Sequence, residues 1–243
     1  MRLAPSEAAA RLSPARALGA LALGSWTALF SVLLVTGRTS LYLSSRTAWV
    51  VPVGATILWI ALAGRLASLR TRTPEPVSAG AAVGTGLMVL PVVIVLALPP
   101  AALGSFAAAR RSTLVGAGAF GSSSEAIATG RVTLIDVAGA LRSRAGMRAL
   151  VGRAGTEVTL VGFVTRSGDM AADEFMLTRF LISCCAADAL SVQVRIVGAP
   201  PGGFPADAWV RVRGRVYPLG REVIVDASDV LRVDRPRRPY LNA

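Results

Sequence analysis

The stretch WVRVRGRVY, residues 209–217, alternates apolar and basic side chains along most of its length. Val210, Val212, Gly214 and Val216 fall on one side of an extended chain, and three arginines fall on the other. Successive side chains of a β-strand point to opposite faces of the sheet. The pattern therefore predicts a strand with one buried face and one solvated face.

Four other segments near the C-terminus are also rich in β-branched residues and end at Gly, Pro or Asp turns. They are EVTLVGFV (157–164), EFMLTRFLIS (174–183), SVQVRIV (191–197) and EVIVDASDVLRV (222–233). Five antiparallel strands with a longer connection at residues 198–208 predict a small OB-like Greek-key barrel over residues 155–243. Gly162 and Gly214 lie in mid-strand, where a barrel needs bends or bulges.

The first part of the chain is predicted to cross a membrane. The chain is 53% apolar and only 16% charged, which is too hydrophobic for an ordinary soluble protein of 243 residues. Three long stretches predict transmembrane helices at about residues 17–37, 47–64 and 81–98, the third ended by Pro99 and Pro100. A signal peptide is the alternative for the first stretch, but its length favours an uncleaved anchor. The fold class is thus a membrane α + β protein, with residues 1–109 as the transmembrane region.

The net charge of +12 does not indicate nucleic-acid binding, because it is concentrated in the hydrophobic half. Residues 1–150 carry 14 arginines against 4 acidic residues, whereas residues 151–243 carry 12 against 10. The arginines near the helix ends favour a cytoplasmic N-terminus, so we expect a multi-pass cell-membrane protein with an extracytoplasmic barrel. The face of Arg211, Arg213 and Arg215 is expected to contact solvent, lipid headgroups or a partner.

Residues 110–154 are predicted to be a linker that contains a short amphipathic helix. The Gly- and Ser-rich part, GAGAFGSSSEAIATG at residues 116–130, is typical of a flexible tether. After it, Leu134, Val137 and Leu141 recur at helical spacing, and Thr133 with Asp136 has the spacing of a capping box. Such a helix lies along the membrane or packs on the following domain, and we favour the second arrangement.

The two cysteines of the chain, Cys184 and Cys185, are adjacent, and the chain has no histidine. Consecutive Cα atoms lie about 3.8 Å apart, which is below the usual range for a disulfide, and adjacent strand residues point to opposite faces. Three interpretations remain open. The pair consists of small buried residues, or it binds a soft metal such as zinc or copper(I) with Asp188 as third ligand, or it forms a switchable vicinal disulfide. In the metal site, the remaining ligands would come from a partner or a second copy.

The C-terminal segments FMLTRFLISCCAADALSVQVRI (175–196), ADAWVRVRGRV (206–216) and RPRRPYL (235–241) also carry a family resemblance. They resemble the YcgQ-type family of bacterial membrane proteins, which are described as permease accessory subunits with an R-F-x-I-x-C-C-A-A-D-A signature. In this chain the signature residues are Arg179, Phe180, Ile182, Cys184, Cys185, Ala186, Ala187, Asp188 and Ala189. The resemblance implies a partner permease of many spans and a link to metal homeostasis.

Catalysis is not expected from this sequence. The lack of histidine excludes Ser-His and Cys-His dyads, and a phosphate-binding loop is absent. The predicted spans lack ionisable residues in their cores, which argues against transport by this chain alone. The sequence therefore predicts a non-catalytic accessory subunit of a permease that contacts membrane lipid but not nucleic acid. A self-standing extracytoplasmic metal or thiol sensor is the alternative.

Overall fold

The computed structural model describes residues 11–71, 76–98, 102–110, 132–140, 144–168, 170–220 and 222–242. The chain forms two compact units. The first comprises Met1–Thr39 and Ala48–Pro100, and the second comprises Ser40–Thr47 and Ala101–Ala243. The predicted tether at 116–130, the helix residue Leu141 and the prolines at 99 and 100 lie outside the described residues. The predicted domain boundaries at 109 and 154 stay a prediction.

Three helices of the first unit are long and apolar enough to cross a membrane. They are α1 (Pro14–Val35), α2 (Val50–Ala67) and α3 (Ala79–Ala97). Pro14 lies in the first turn of α1, where a missing backbone N–H costs least, and the Ser78 hydroxyl accepts a hydrogen bond from Ala81 N at the start of α3. The three predicted helices are confirmed as long and apolar enough to span a membrane, with ends one to three residues from those expected.

Two tryptophan N–H groups link these helices by hydrogen bonds. The indole N–H of Trp59 in α2 donates to the Ser31 hydroxyl of α1 at 3.2 Å, and the indole N–H of Trp26 in α1 donates to the Met88 carbonyl of α3 at 3.1 Å. An indole N–H without an acceptor in the hydrocarbon region of a membrane would cost roughly several kcal/mol, like other unsatisfied polar groups. The two bonds therefore hold α1 against both neighbours.

The second unit contains the predicted barrel. Its strands are β1 (Glu157–Thr165), β2 (Phe175–Ile182), β3 (Leu190–Val197), β4 (Trp209–Leu219) and β5 (Glu222–Arg232). They pair in the order β1-β4-β5-β3-β2, and β2 pairs back onto β1, which closes the ring. This is the order of a Greek-key OB barrel, so the predicted fold class is confirmed.

Two features of the sheet differ from the sequence-based expectation. The β3–β5 pair is parallel rather than antiparallel. The antiparallel pairs of β1 with β2 and β4, of β2 with β3, and of β4 with β5 leave β3 and β5 running in the same direction. A sixth strand, β6 (Leu241–Asn242), lies outside the ring and pairs in parallel with the end of β2. Because β6 has two residues, the sequence shows no alternation of apolar and polar side chains from which it could be predicted.

The alternation in β4 has the predicted consequence. Val210, Val212 and Val216 are fully buried in the barrel core, whereas the intervening arginines are exposed. A bulge lies between Arg213 and Gly214, where the register with β5 skips one residue. The prediction that Gly214 marks an irregularity is thus confirmed.

The linker helix packs on the barrel, as favoured from the sequence. It consists of two short helices after a four-residue helix α4 (Ser105–Ala108), namely α5 (Leu134–Ala140) and α6 (Arg144–Val151). Leu134, Val137 and Leu150 belong to the same buried cluster as the barrel valines. The predicted capping box is also present, since Asp136 Oδ2 accepts from the Thr133 N–H at 2.8 Å and Thr133 Oγ1 accepts from the Asp136 N–H at 3.4 Å.

Loss of this cap should weaken the second unit modestly. We expect Thr133→Ala to lower the free energy of unfolding of this unit by about 1 kcal/mol, because the Asp136 N–H in the first turn of α5 loses its side-chain acceptor. Thermal unfolding of the chain in mild detergent would measure the loss. Ser167→Ala, a change in an exposed loop, is the control, and equal midpoints for the two variants would contradict the prediction.

Candidate functional site

The cysteine pair lies in residues 183–189, which connect β2 to β3 and are called the cysteine turn below. Strand β2 ends at Ile182, and a single 3-10 turn at Ala186–Asp188 reverses the chain. Cys184 is exposed, and Cys185 is half-buried. The predicted position between the second and third strands is confirmed, but the interpretation as small buried residues is wrong for Cys184.

Asp188 holds the cysteine turn closed. Its Oδ1 accepts a hydrogen bond from the Ser183 N–H at 3.0 Å, and its Oδ2 accepts from the Cys184 N–H at 2.7 Å. Burial alone would raise the pKa of Asp188, but the hydrogen bonds donated by Cys184 and its neighbours lower it below the ordinary value. The carboxylate therefore stays charged at neutral pH.

The two sulfur atoms lie 3.6 Å apart. The expectation that they point to opposite faces is wrong, because β2 ends at Ile182 and the pair lies in the connection to β3 rather than within a strand. Both are free thiols. A hydrogen bond to the Asp188 carboxylate, then the contact with Cys185, raises the pKa of Cys184 to about 11.

The turn brings three metal-ligating groups together. One ligand atom each from Cys184, Cys185 and Asp188 lies within 4.8 Å of the other two. Thiolate and carboxylate are both ligands of zinc, so this donor set fits the predicted soft-metal site. Whether an ion binds there stays a prediction.

A segment near the N-terminal end of the sequence also holds the backbone of the cysteine turn. The Cys184 carbonyl accepts hydrogen bonds from the Ser44 N–H at 3.1 Å and from the Thr47 hydroxyl at 2.6 Å. The Tyr42 carbonyl accepts from the Ala186 N–H at 2.8 Å. Residues Ser40–Thr47, called the 40–47 segment below, thus fix the backbone on one side of the turn. Sequence reasoning missed this contact, and nothing in either stretch signals it.

Residues 151–242 match the DUF1980 C-terminal domain. The matched range begins at the last residue of α6 and includes the closed barrel, the cysteine turn and β6. It is consistent with the resemblance to the YcgQ-type family, while the predicted signature itself stays a prediction. A search of curated proteins found no match to the chain.

Two residues of the predicted signature, Arg179 and Phe180, hold the last residues of the chain in place. The Arg179 guanidinium donates to the Pro239 carbonyl at 2.9 Å and to the Arg238 carbonyl at 2.7 Å. The ring of Phe180, fully buried, packs edge-on against Tyr240 at a centroid distance of 6.5 Å. These contacts place β6 beside β2, directly before the cysteine turn.

The chain end also contacts the 40–47 segment. Asn242 Oδ1 accepts from the Ser45 N–H at 3.1 Å, and the Ser40 hydroxyl donates to the Arg237 carbonyl at 2.8 Å. Of the other signature residues, Ile182 is buried beside Phe180, whereas Ala186 and Ala187 lie in the 3-10 turn. The 40–47 segment, the end of β2 and β6 therefore lie around the cysteine turn.

Arg179 should control how firmly the chain end is held. We expect Arg179→Met to increase trypsin cleavage after Arg237 by about tenfold or more, because two hydrogen bonds to a charged donor are lost. Mass spectrometry of the released C-terminal peptide would measure the rate. Arg213→Met, which removes one exposed ion pair with Glu157, is the control. Equal cleavage of the two variants would show that Arg179 does not hold the chain end.

Proposed function

We propose that this chain is a non-catalytic accessory subunit of a multi-spanning permease in the cell membrane. In this proposal α1–α3 anchor the chain, and the barrel lies outside the cell and binds a soft metal ion such as zinc through the cysteine turn. The observation that carries the proposal is the group of Cys184, Cys185 and Asp188, whose ligand atoms lie within 4.8 Å of one another.

The composition of the helices supports a partner as the transport pathway. The charged residues of the three helices are Arg16 and Arg65, and both lie in terminal turns. Arg16 donates to the Ser68 carbonyl at 2.7 Å, so its charge is held at the helix end. Ion and proton pathways usually need ionisable or polar groups at membrane depth. These helices are better suited to contact lipid and a permease than to form a pathway.

The charges on the surface of the barrel argue against a nucleic-acid partner. Arg213 lies 3.2 Å from Glu157 and opposite Asp229, and Arg215 lies opposite Asp226. The arginine face of β4 is therefore bordered by acidic residues on both neighbouring strands. Binding of a phosphate backbone favours an uncompensated basic groove, so solvent or a mixed-charge partner suits this face better.

A self-standing metal or thiol sensor is the second candidate. It is favoured by one observation, the exposure of the Cys184 thiol at 3.6 Å from a second free thiol. A sensor would use the same turn but would need no permease.

One purification separates the two candidates. The tagged chain is isolated in mild detergent, its co-purifying membrane proteins are identified, and bound metal is measured with and without Cys184→Ser and Cys185→Ser. We expect a multi-spanning partner together with metal that both substitutions remove, whereas Asp229→Asn, an acid outside the turn, leaves the metal content unchanged. Stoichiometric cysteine-dependent metal without a membrane partner would favour the sensor.

The orientation of the barrel has a separate test. A membrane-impermeant maleimide applied to intact cells should label the cysteines if the barrel is extracytoplasmic. Labelling is compared with that after lysis by detergent, and reduction beforehand keeps both thiols reactive. Labelling that requires lysis would place the barrel in the cytoplasm.

A further inference from the structure

We propose that the cysteine turn is a three-donor site for a divalent ion of tetrahedral preference, of which zinc is the type, and that its fourth coordination position is open. This inference rests on the proposed metal role and specifies the ion class and the exchange behaviour of that same site. Binding of the ion displaces the protons of both thiols, which leave as two hydrogen ions.

The separation of the sulfur atoms favours tetrahedral over linear coordination. With metal–sulfur distances of about 2.3 Å, sulfurs 3.6 Å apart enclose an angle of about 100° at the metal, close to the tetrahedral value. The linear arrangement that copper(I) adopts with two thiolates needs sulfurs about 4.6 Å apart at the same bond length. To hold copper(I) in this way, the two sulfur atoms of the turn would have to move about 1 Å further apart.

The third donor favours the same class of ion. Asp188 supplies a carboxylate oxygen, a ligand that zinc accepts and copper(I) does not favour. One oxygen accepts from the Ser183 N–H and the other from the Cys184 N–H, and the lone pair that accepts from the Cys184 thiol becomes free when that thiol loses its proton on metal binding. Asp188 can therefore bind an ion without releasing Ser183 or Cys184.

The backbone around the thiols is held before any ion binds. The Cys184 N–H is bonded to Asp188, and the Cys184 carbonyl accepts bonds from Ser44 and Thr47. Leu43 in the 40–47 segment forms a β-bridge with Cys185. Ligation then requires rotation of side chains rather than rearrangement of the chain, which lowers the ordering cost of binding.

The fourth ligand of the ion has to come from outside the group of Cys184, Cys185 and Asp188. The chain has two cysteines and no histidine, and within the described residues the group contains three members. Cys184 is exposed, so a ligand from solvent or from a partner can reach the ion. Zinc sites with three protein ligands keep an exchangeable fourth position, in contrast to closed structural sites. Such a site suits an ion that is passed to or from a permease.

Cobalt(II) is the probe for this proposal, because its absorption reports coordination geometry and thiolate ligation. The metal-free chain in detergent is titrated with cobalt(II), then with zinc(II) and, under anaerobic conditions, with copper(I). We expect one equivalent of cobalt(II) with tetrahedral bands and thiolate charge transfer, displaced by zinc. A small added thiol should change the bands without removing the ion, because it enters the open position.

Variants separate ligation from support of the turn. Cys184→Ser and Cys185→Ser should each leave two of the three donors, so that cobalt(II) binds too weakly to survive purification and the thiolate charge transfer falls by at least half at saturation. Asp188→Asn should weaken binding by about tenfold to a hundredfold. Thr47→Val removes a bond to the Cys184 carbonyl but no donor, so it should change the affinity by less than Asp188→Asn.

The results that would overturn the inference differ from those that would overturn the proposed function. Octahedral cobalt bands, equal affinities of Asp188→Asn and Thr47→Val, or bands insensitive to added thiol would contradict the three-donor open site while leaving a metal role intact. Failure to bind any of the three ions would remove the metal role as well. Recovery of a permease partner is measured independently of both.

Discussion

Gly214→Ala is expected to lower the free energy of unfolding of the barrel by about 3 kcal/mol or more. A β-carbon at this position would overlap the Asp226 carbonyl oxygen and lie 2.9 Å from its carbonyl carbon. These are backbone atoms of the paired strand β5, so relief requires strand separation rather than rotation of a side chain. The bulge between Arg213 and Gly214 brings the two backbones this close.

Urea titration of the full chain in detergent, followed by a short protease pulse and detection of a C-terminal tag, would measure the effect. Gly168→Ala is the matched control, because the space around a β-carbon there is free to 4 Å, and it should change stability by less than about 0.5 kcal/mol. Gly162→Ala should fall between them, since its β-carbon would meet the Thr178 carbonyl oxygen at 2.7 Å. A midpoint for Gly214→Ala equal to that of Gly168→Ala would mean that the bulge tolerates a side chain.

Alkylation of Cys184 is expected to be slow and strongly dependent on pH. The thiolate is the reactive form, and a pKa of about 11 against an ordinary 9.0 reduces its fraction at pH 8 by about a hundredfold. A thiolate of higher pKa is intrinsically more nucleophilic, which restores about tenfold of this loss. The expected net rate is thus about tenfold below that of an ordinary thiol, and it should rise with pH up to about 11.

Asp188 is the first cause of this shift, so its removal has a defined sign. The carboxylate accepts a hydrogen bond from the Cys184 thiol and repels its thiolate, and both effects favour the protonated thiol. Asp188→Asn should therefore lower the pKa of Cys184 and accelerate alkylation at pH 8 by up to about tenfold. The measurement uses metal-free chains that carry Cys185→Ser, so that Cys184 is the remaining thiol. Asp229→Asn in the same background is the control, and a rate for Asp188→Asn no higher than this control would contradict the assignment.

The local patterns of this sequence were sufficient to predict the three long helices and the five strands of the barrel. Strand β4 was expected at residues 209–217 and is found at Trp209–Leu219, because alternation of valine and arginine depends only on which face is buried. The capping box at Thr133 and Asp136 was likewise readable, since both partners lie in one helical turn. The contacts of Cys184 with Ser44 and Thr47 were not, because they join residues about 140 positions apart that share no pattern.

In the cysteine turn, too, residue identity could be predicted from the sequence, whereas the positions of the side chains could not. The sequence alone determined three apolar helices, a barrel after them, and two thiols with an acid between β2 and β3, since these follow from hydropathy, alternation and residue identity. Tertiary structure decided that the sulfurs lie 3.6 Å apart, that Asp188 closes the turn, and that the 40–47 segment and β6 enclose it. Side-chain direction beyond the end of a strand depends on backbone hydrogen bonds to distant segments, and no local pattern of residues contains that information.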